Sequence, residues 1–492
     1  MNNSKSNFNQ ALWLAIGYTC SMAVGIVSSA ILSRYFDKTE YGTYKQIMYV
    51  YHILFTVFQA GLPAVFTYFL PRYGKEEGKY IVKKINGLLF ILGAFCSVFL
   101  FCTSGFIASL LKNPELATGL KIFSFFPLFT LPTLGVEGIY TVNKNTRFVA
   151  IYNVITRLLM LVCIVIPVIF IKNDYRYALV GWGIASFIAF IIAIVAKNRV
   201  YSAVETKEIP NMFREVLSYT LPIMGSALVF MFFNSASQFF ISRYYGTEAF
   251  AEYSNGHMTL PFAAIFIAPI RALITPAFAK ASKDNNFDSA LAMLYNSTKQ
   301  LFVIMLPLIA FAFFFAKDIM VFLYSEAYAA SASYFRIILM FNVVEMFVFS
   351  SVLNAIGKSK QHFIFDISCT IVLWGLDFLL VYAGGNPYLI TAAFVLMNST
   401  CRYILPGIYL YFHEKIHVLN REIISCFFKV FIHVVLCCGL TYLLSLFVLD
   451  DMKPFYRLIM FIIVFYLILL ASARWIVKID YLQALTKLIK KK

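Results

Sequence analysis

Apolar stretches of about 20 residues recur along nearly the whole chain, separated by short polar turns. As helices, each is long enough to cross a hydrocarbon core roughly 30 Å thick. The pattern predicts fourteen spans, near residues 11–33, 46–70, 82–104, 117–141, 148–171, 177–196, 215–241, 255–279, 291–315, 332–356, 363–383, 388–411, 423–447 and 456–476. The first is too long for the apolar region of a signal peptide and lacks a small-x-small cleavage site, so it is read as helix 1. Fourteen spans of about 24 residues use most of the 492 and leave only short loops, with no room for a separate soluble catalytic domain. The expected fold is an all-α polytopic membrane protein.

The sequence also repeats itself. Ser33-Arg34-Tyr35-Phe36 closes helix 1 and Ser242-Arg243-Tyr244-Tyr245 closes helix 7, 209 residues on, each with a tyrosine (Tyr44, Tyr253) nine residues after its first. Leu70-Pro71 with Lys75 is echoed by Thr275-Pro276 with Lys280, and the turn at Asn143-Lys144 by Gly357-Lys358. Three matches in order at nearly one offset argue for a duplicated six-helix unit. Six is even, so the copies share an orientation and form a parallel repeat, as in two-lobed transporters. The expected division is an N-terminal lobe over 1–200 (helices 1–6), a C-terminal lobe over 201–412 (helices 7–12), and helices 13–14 with a basic tail over 413–492. Two such lobes suggest a central cavity that opens to one side and then the other; the plainer alternative is a membrane scaffold or enzyme with an accidental duplication.

Composition agrees with the pattern: 61% of residues are hydrophobic and only 13% charged, about half the globular norm of roughly 25%. Lys and Arg number 41 against 24 acidic residues, a net +17. Sorted by loop, 24 of these cations fall on the side holding both termini and 11 on the other, which predicts cytoplasmic termini. The excess charge is thus largely a topology signal, and nucleic acid is not an expected partner. The nine cysteines lie on or at the ends of spans without paired loop spacing, so they read as small buried hydrophobes.

Six cations and four acids remain inside the spans: Arg157, Arg271, Lys299, Arg336, Arg402, Lys429, Glu137, Glu345, Asp366 and Asp377. Lys429, Arg336, Asp366 and Glu137 are close enough to span ends to snorkel. Arg157, Arg271 and Arg402 are deeper and would together cost on the order of 10 kcal/mol facing lipid, so they are expected to face a watery cavity or acidic partners. Asn153 precedes Arg157 by four residues, Asn398 precedes Arg402 by four, and Asn234 and Gln238 are four apart, so each pair shares a helix face. Asn342 and Glu345 are three apart on helix 10. Pro261, Pro269 and Pro276 flank Arg271, predicting a bent or broken helix 8. Each of these polar residues also reads as an inter-helix hydrogen bond or ion pair. An arginine-dominated cavity suits an anion, because guanidinium binds phosphate or carboxylate in a bidentate manner. Glu345 and Asp377 are candidate ion-coupling sites, for a proton or sodium.

Other motifs carry less. His413-Glu414-Lys415-Ile416-His417 matches the zinc-protease pattern H-E-x-x-H, but it lies in a short turn, and no Glu follows Glu422 to serve as a further ligand. No metal or other cofactor is expected. There is no G-x-x-x-x-G-K-[ST] loop, so energy is expected from an ion gradient, the membrane potential or mass action. Lys487–Lys492 reads as an anchor on anionic lipid.

The helix 1–2 turn, Ser33-Arg34-Tyr35-Phe36-Asp37-Lys38-Thr39-Glu40-Tyr41-Gly42-Thr43-Tyr44, resembles the Arg-Tyr/Phe-Leu…Glu-Tyr-Gly-x-Tyr signature of polysaccharide-export flippases. Gln59-Ala60-Gly61-Leu62 with Phe69-Leu70-Pro71-Arg72-Tyr73, and Phe322-Leu323-Tyr324-Ser325-Glu326-Ala327-Tyr328, are similar to the same family, which often has Gly where Ser325 stands. The chain therefore resembles the O-antigen and capsular polysaccharide flippases (the Wzx type) of the multidrug/oligosaccharidyl-lipid/polysaccharide exporter superfamily. The resemblance implies two six-helix lobes, a cationic central cavity, and a multi-pass location in the bacterial inner membrane. Its implied substrate is an undecaprenyl-pyrophosphate-linked oligosaccharide, moved from the cytoplasmic to the periplasmic leaflet for lipopolysaccharide O-antigen or capsule assembly. On this reading Arg157, Arg271 and Arg402 hold the pyrophosphate, while polar side chains such as Asn153, Asn234, Gln238 and Asn398 meet the glycan. Membrane lipid and other polysaccharide-assembly membrane proteins are the remaining expected partners. Helices 13 and 14 would help form a groove for the lipid tail. The alternatives are a membrane ligase or polymerase acting on lipid-linked glycans, which the short periplasmic loops disfavour, and a cation-coupled drug antiporter, which the deep arginines disfavour.

Overall fold

The computed structural model describes residues 2–258, 260–446, 454–473 and 481. Lys453, Arg474, Lys478 and the basic tail Lys487–Lys492 lie outside the described residues. Among the described residues the chain is helical, without strands. Twelve helical segments are long and apolar enough to cross a membrane, or thirteen with the bent pair Ser331–Glu345 and Phe349–Ala355 taken as one. A further helix, Asn2–Tyr35, stands at the first predicted span.

The chain forms two compact units, Met1–Ala251 and Glu252–Lys492. The first contains α1 (Asn2–Tyr35), α2 (Lys38–Gln59), α3 (Pro63–Phe69), α4 (Lys75–Leu110), α5 (Glu115–Phe123), α6 (Phe126–Thr130), α7 (Val136–Val142), α8 (Thr146–Phe170), α9 (Tyr175–Val200) and α10 (Met212–Tyr244). Helix α11 (Gly246–Gly256) bridges the boundary in sequence. The second unit contains α12 (Pro261–Asp284), α13 (Asp288–Phe314), α14 (Ala316–Tyr324), α15 (Ser331–Glu345), α16 (Phe349–Ala355), α17 (Ser359–Tyr382), α18 (Pro387–Ser399), α19 (Leu405–Phe412), α20 (Arg421–Leu446) and α21 (Pro454–Ser472).

The element boundaries carry the repeat. Helices α1 and α10 end at Tyr35 and Tyr244, 209 residues apart. The seven-residue α7 and α16 start 213 residues apart, as do α8 and α17. Helix α9 and the α18–α19 segment share an offset of 212 at both ends. Helices α20 and α21, beyond the repeat, pack on α13 and α14 of the second unit.

The first compact unit extends past residue 200 because α10 docks on α2 and α3. That seam is polar and close. The buried Gln46 donates to Ser242 Oγ (2.8 Å), Asn113 donates to Gln46 Oε1 (2.6 Å), and Tyr49 donates to the Ser235 carbonyl (3.2 Å). A Cβ on Gly42 would stand 2.2 Å from the Thr247 carbonyl oxygen, so the glycine of the Glu-Tyr-Gly signature permits this contact.

Two features differ from the sequence reading. Of the bent or broken helix expected beside Arg271, the break does not occur: α12 is continuous, with Pro269 and Pro276 inside it. The break in the second unit lies instead between α15 and α16, at 43°, where Val348 adopts φ 45°. A buried β-branched residue in the left-handed region is a strained turn. The prolines remove backbone donors without ending α12, whereas no proline or glycine marks the break that forms.

Candidate functional site

In the first unit, the site is built by helical spacing on α8. Tyr152, Asn153, Thr156, Arg157 and Met160 recur at one- and four-residue steps, share one face, and line a cavity of about 590 Å³. Opposite them the span formed by α5, α6 and α7 is interrupted. Gly135 has φ 92°, and an added Cβ would meet Phe66 Cε2 at 2.1 Å, so only glycine fits this corner. The corner turns Thr133, Leu134 and Glu137 into the cavity wall, which Tyr51 and His52 of α2 and Trp182 of α9 complete. The Trp182 indole is fixed by donating to Tyr44 Oη at 2.9 Å.

Arg157 and Asn153 thus lie where their shared face predicts, on one cavity. Among the described residues Arg157 makes no ion pair; its one hydrogen-bond contact is Met160 Sδ at 3.8 Å. Glu137 does not snorkel to a span end: it lines the cavity and accepts a hydrogen bond from the Tyr18 phenol. The N-terminal unit therefore holds, in one cavity, a guanidinium without an ion-pair partner among the described residues and a hydrogen-bonded carboxylate. A guanidinium held this way can receive an anionic oxygen without first breaking a salt bridge.

In the second unit, Arg271 Nη2 lies 3.2 Å from Glu345 Oε1, and Asn342 donates to Glu345 Oε2 at 3.3 Å. Two residues that the sequence assigns to different expected roles, Arg271 to an anion and Glu345 to a coupling ion, therefore form one ion pair. The Arg271 side chain is 39% exposed, and its buried Nε has no hydrogen-bond partner among the described residues. Arg402 sits on a π-helical turn, Thr400–Ile404, where its Nε donates to Asn398 Oδ1 at 2.8 Å. Single π turns often mark functional positions, because the extra residue swings a side chain out of register. The buried Tyr403 lies among these groups, within electrostatic reach of Arg271, Glu345 and Arg402. The structure thus gathers Arg271, Glu345, Asn342, Arg402 and Asn398 around one tyrosine that sequence reasoning passed over.

The remaining sites separate from these clusters. Asn234 and Gln238 share a face of α10, but each amide bonds back to its own helix, on Phe230 O (2.7 Å) and Asn234 O (3.1 Å). Asp377 is fully buried on α17. Lys299, Arg336 and Asp366 have local partners in Glu422 (2.7 Å), the Phe313 carbonyl (3.0 Å) and the Cys401 thiol (2.9 Å). The H-E-x-x-H stretch is not helical, so its imidazoles share no helix face. His413 stacks on Tyr409, and Glu414 pairs with Lys358 at 2.8 Å, holding that ammonium above its usual range. Among the described residues no cluster of His, Cys, Asp and Glu is arranged to hold a metal, and all nine cysteines are free.

Residues 8–282, more than half of the chain, match the family described as polysaccharide biosynthesis protein. The chain belongs to that family. The chain also matches the MatE family, over residues 222–379. Similar solved structures include the lipid II flippase MurJ in an inward closed conformation, with 16% identity and a TM-score of 0.68, covering 94% of this chain and 98% of that one. An inward-facing multidrug resistance MATE family transporter of the MOP superfamily gives 17% identity and a TM-score of 0.59, over 81% and 93%. A MOP superfamily transporter from Pyrococcus furiosus, titled for the reverse polarity of its binding pocket, gives 16% and 0.56, over 82% and 94%. At these identities the likeness establishes a MOP-type transporter fold. No curated protein matches.

Proposed function

We propose that the chain flips an undecaprenyl-pyrophosphate-linked oligosaccharide from the cytoplasmic to the periplasmic leaflet of the bacterial inner membrane, by alternating access, for O-antigen or capsule export. One observation carries the reading: Arg157, at membrane depth, lines a cavity and has no carboxylate partner among the described residues. A desolvated guanidinium is costly, and a bound phosphate or acidic sugar offsets that cost through paired hydrogen bonds. Arg271 and Arg402 supply matching donors in the second unit, with Asn153 and Asn398 beside them for glycan hydroxyls. Asn234 and Gln238 join only if their back-bonded amides turn.

Glu345 gives the cycle a switch. While ionised it occupies Arg271; protonated, or holding a cation, it releases Arg271 to the substrate anion. Asp377 is the second carboxylate proposed for ion coupling, with proton or sodium as the ion. The division into repeat lobes 1–200 and 201–412, with 413–492 appended, and the cytoplasmic placement of both termini belong to this proposal. The match to MatE and the three acidic residues Glu137, Glu345 and Asp377 favour ion coupling over passive flow, and sustain a second reading as a cation-coupled antiporter.

The test is in cells. Deleting the gene should strip surface glycan and leave lipid-linked oligosaccharide in the inner leaflet. The intact chain should restore export, and Arg157→Ala should not, at equal membrane abundance. Full export by a well-expressed Arg157→Glu would defeat the anion reading.

A further inference from the structure

Lys197 occupies an unusual place. By sequence it stands near the end of a span and counts toward the cytoplasmic loop cations; in the structure it is fully buried on α9. Its Nζ donates to Asn86 Oδ1 (2.8 Å), to the Pro132 carbonyl (2.8 Å) and to the Leu134 carbonyl. The Phe66 ring lies beneath it, 5.5 Å from centroid to nitrogen. Among the described residues no carboxylate pairs with it.

Three acceptors around one nitrogen match the donor set of an ammonium. An ammonium has three N–H bonds and satisfies all three; a neutral amine has two and would aim its lone pair at an oxygen. Two of the acceptors are backbone carbonyls of the interrupted span, freed where the helix breaks at Leu131–Gly135. Unpaired carbonyls at that depth would each be expensive. The same short segment presents Thr133, Leu134 and Glu137 to the first unit's cavity.

We infer that Lys197 is a tethered internal cation with two effects on that cavity: it pins the broken helix that forms one wall, and it adds positive charge one residue behind that wall. It is a positioning residue, acting through the Pro132–Leu134 backbone rather than by touching ligand. With Arg157 in the cavity and Lys197 behind it, two cations face one carboxylate, Glu137, so the pocket favours anions. This rests on reading the cavity as an anion site, and its test needs no transport.

Thr67 lines the cavity, is exposed, and follows Phe66 in sequence, so Thr67→Cys is a reporter of local potential. The probes are the anionic ethylsulfonate and cationic ethyltrimethylammonium methanethiosulfonates. They are applied to the full-length protein in vesicles, with rates normalised to a small free thiol and compared with the chain lacking the reporter. In the otherwise unchanged protein the anionic probe should react faster. Lys197→Met should lower the anionic-to-cationic ratio roughly fivefold or more, less at high salt. Asn86→Asp keeps an acceptor oxygen on the ammonium while cancelling its charge. It should lower the ratio similarly at unchanged thermal stability, which a purely structural lysine would not do. A cation-preferring or unreactive reporter in the parent chain overturns the inference, as does an unchanged ratio in Asn86→Asp. If Lys197→Met fails to accumulate, the parent ratio and Asn86→Asp decide.

Discussion

Removing Arg271 and removing its partner Glu345 should move substrate binding in opposite directions. The two side chains are 39% and 21% exposed and 3.2 Å apart, so solvent screening holds the pair to about 0.2–1 kcal/mol of stability. Losing a charged contact to a desolvated pyrophosphate costs more, about 2–5 kcal/mol, or roughly 30- to several-thousand-fold in affinity. Arg271→Ala should therefore lose binding far beyond its loss of thermal stability, since Asn342 still donates to Glu345 at 3.3 Å. Arg271→Lys should fall between, keeping charge but not the bidentate fork. Glu345→Gln removes the competitor and should tighten binding about fivefold, the equivalent of about 1 kcal/mol. The assay is equilibrium binding of a polyprenyl-pyrophosphate oligosaccharide to purified protein, beside thermal unfolding in the same detergent. A helix-gluing role predicts that both variants lose stability and binding together. Weaker binding by Glu345→Gln, or normal glycan export by a well-expressed Arg271→Glu, would refute the reasoning.

Gly181 lets α9 approach α8: an added Cβ would lie 1.9 Å from the Cys163 carbonyl oxygen. Gly181→Ala should therefore cost about 1–3 kcal/mol, read as a lower melting temperature, and an unchanged melt would contradict the packing. Reporter fusions after Lys492 and at Lys358 should report cytoplasm and one near Asn386 periplasm; a periplasmic C-terminus would break the topology. Asp377→Asn should lower gradient-driven transport at normal abundance, and equal transport by the parent chain with and without a gradient would remove the coupling role.

The spans and the repeat were legible because both are local. A stretch of apolar residues needs no partner to declare itself, and a helix face follows from spacing alone, as Asn153 with Arg157 and Asn398 with Arg402 demonstrate. What escaped depends on partners distant in sequence. By sequence Glu137 reads as a snorkelling end residue, yet Tyr18, 119 positions away, donates to its carboxylate. Lys197 looked like a loop cation, yet its acceptors lie 63 to 111 residues upstream. The break at Val348 carries no proline or glycine, and the prolines of α12 produce no break, because packing rather than propensity decides each. Tyr403 had one local signal, adjacency to Arg402, with Pro406 close behind to disturb the helix.

The central claim is that the chain moves a lipid-linked anionic glycan and leaves its covalent bonds intact. Purified protein in liposomes, supplied with a fluorescent polyprenyl-pyrophosphate oligosaccharide, can be followed by the fraction that an impermeant quencher reaches. The account predicts transbilayer movement above protein-free liposomes without any nucleotide, sensitive to Arg157→Ala, with the lipid recovered chemically unchanged. No movement above the blank, or recovery of a longer glycan or a cleaved pyrophosphate, would contradict it.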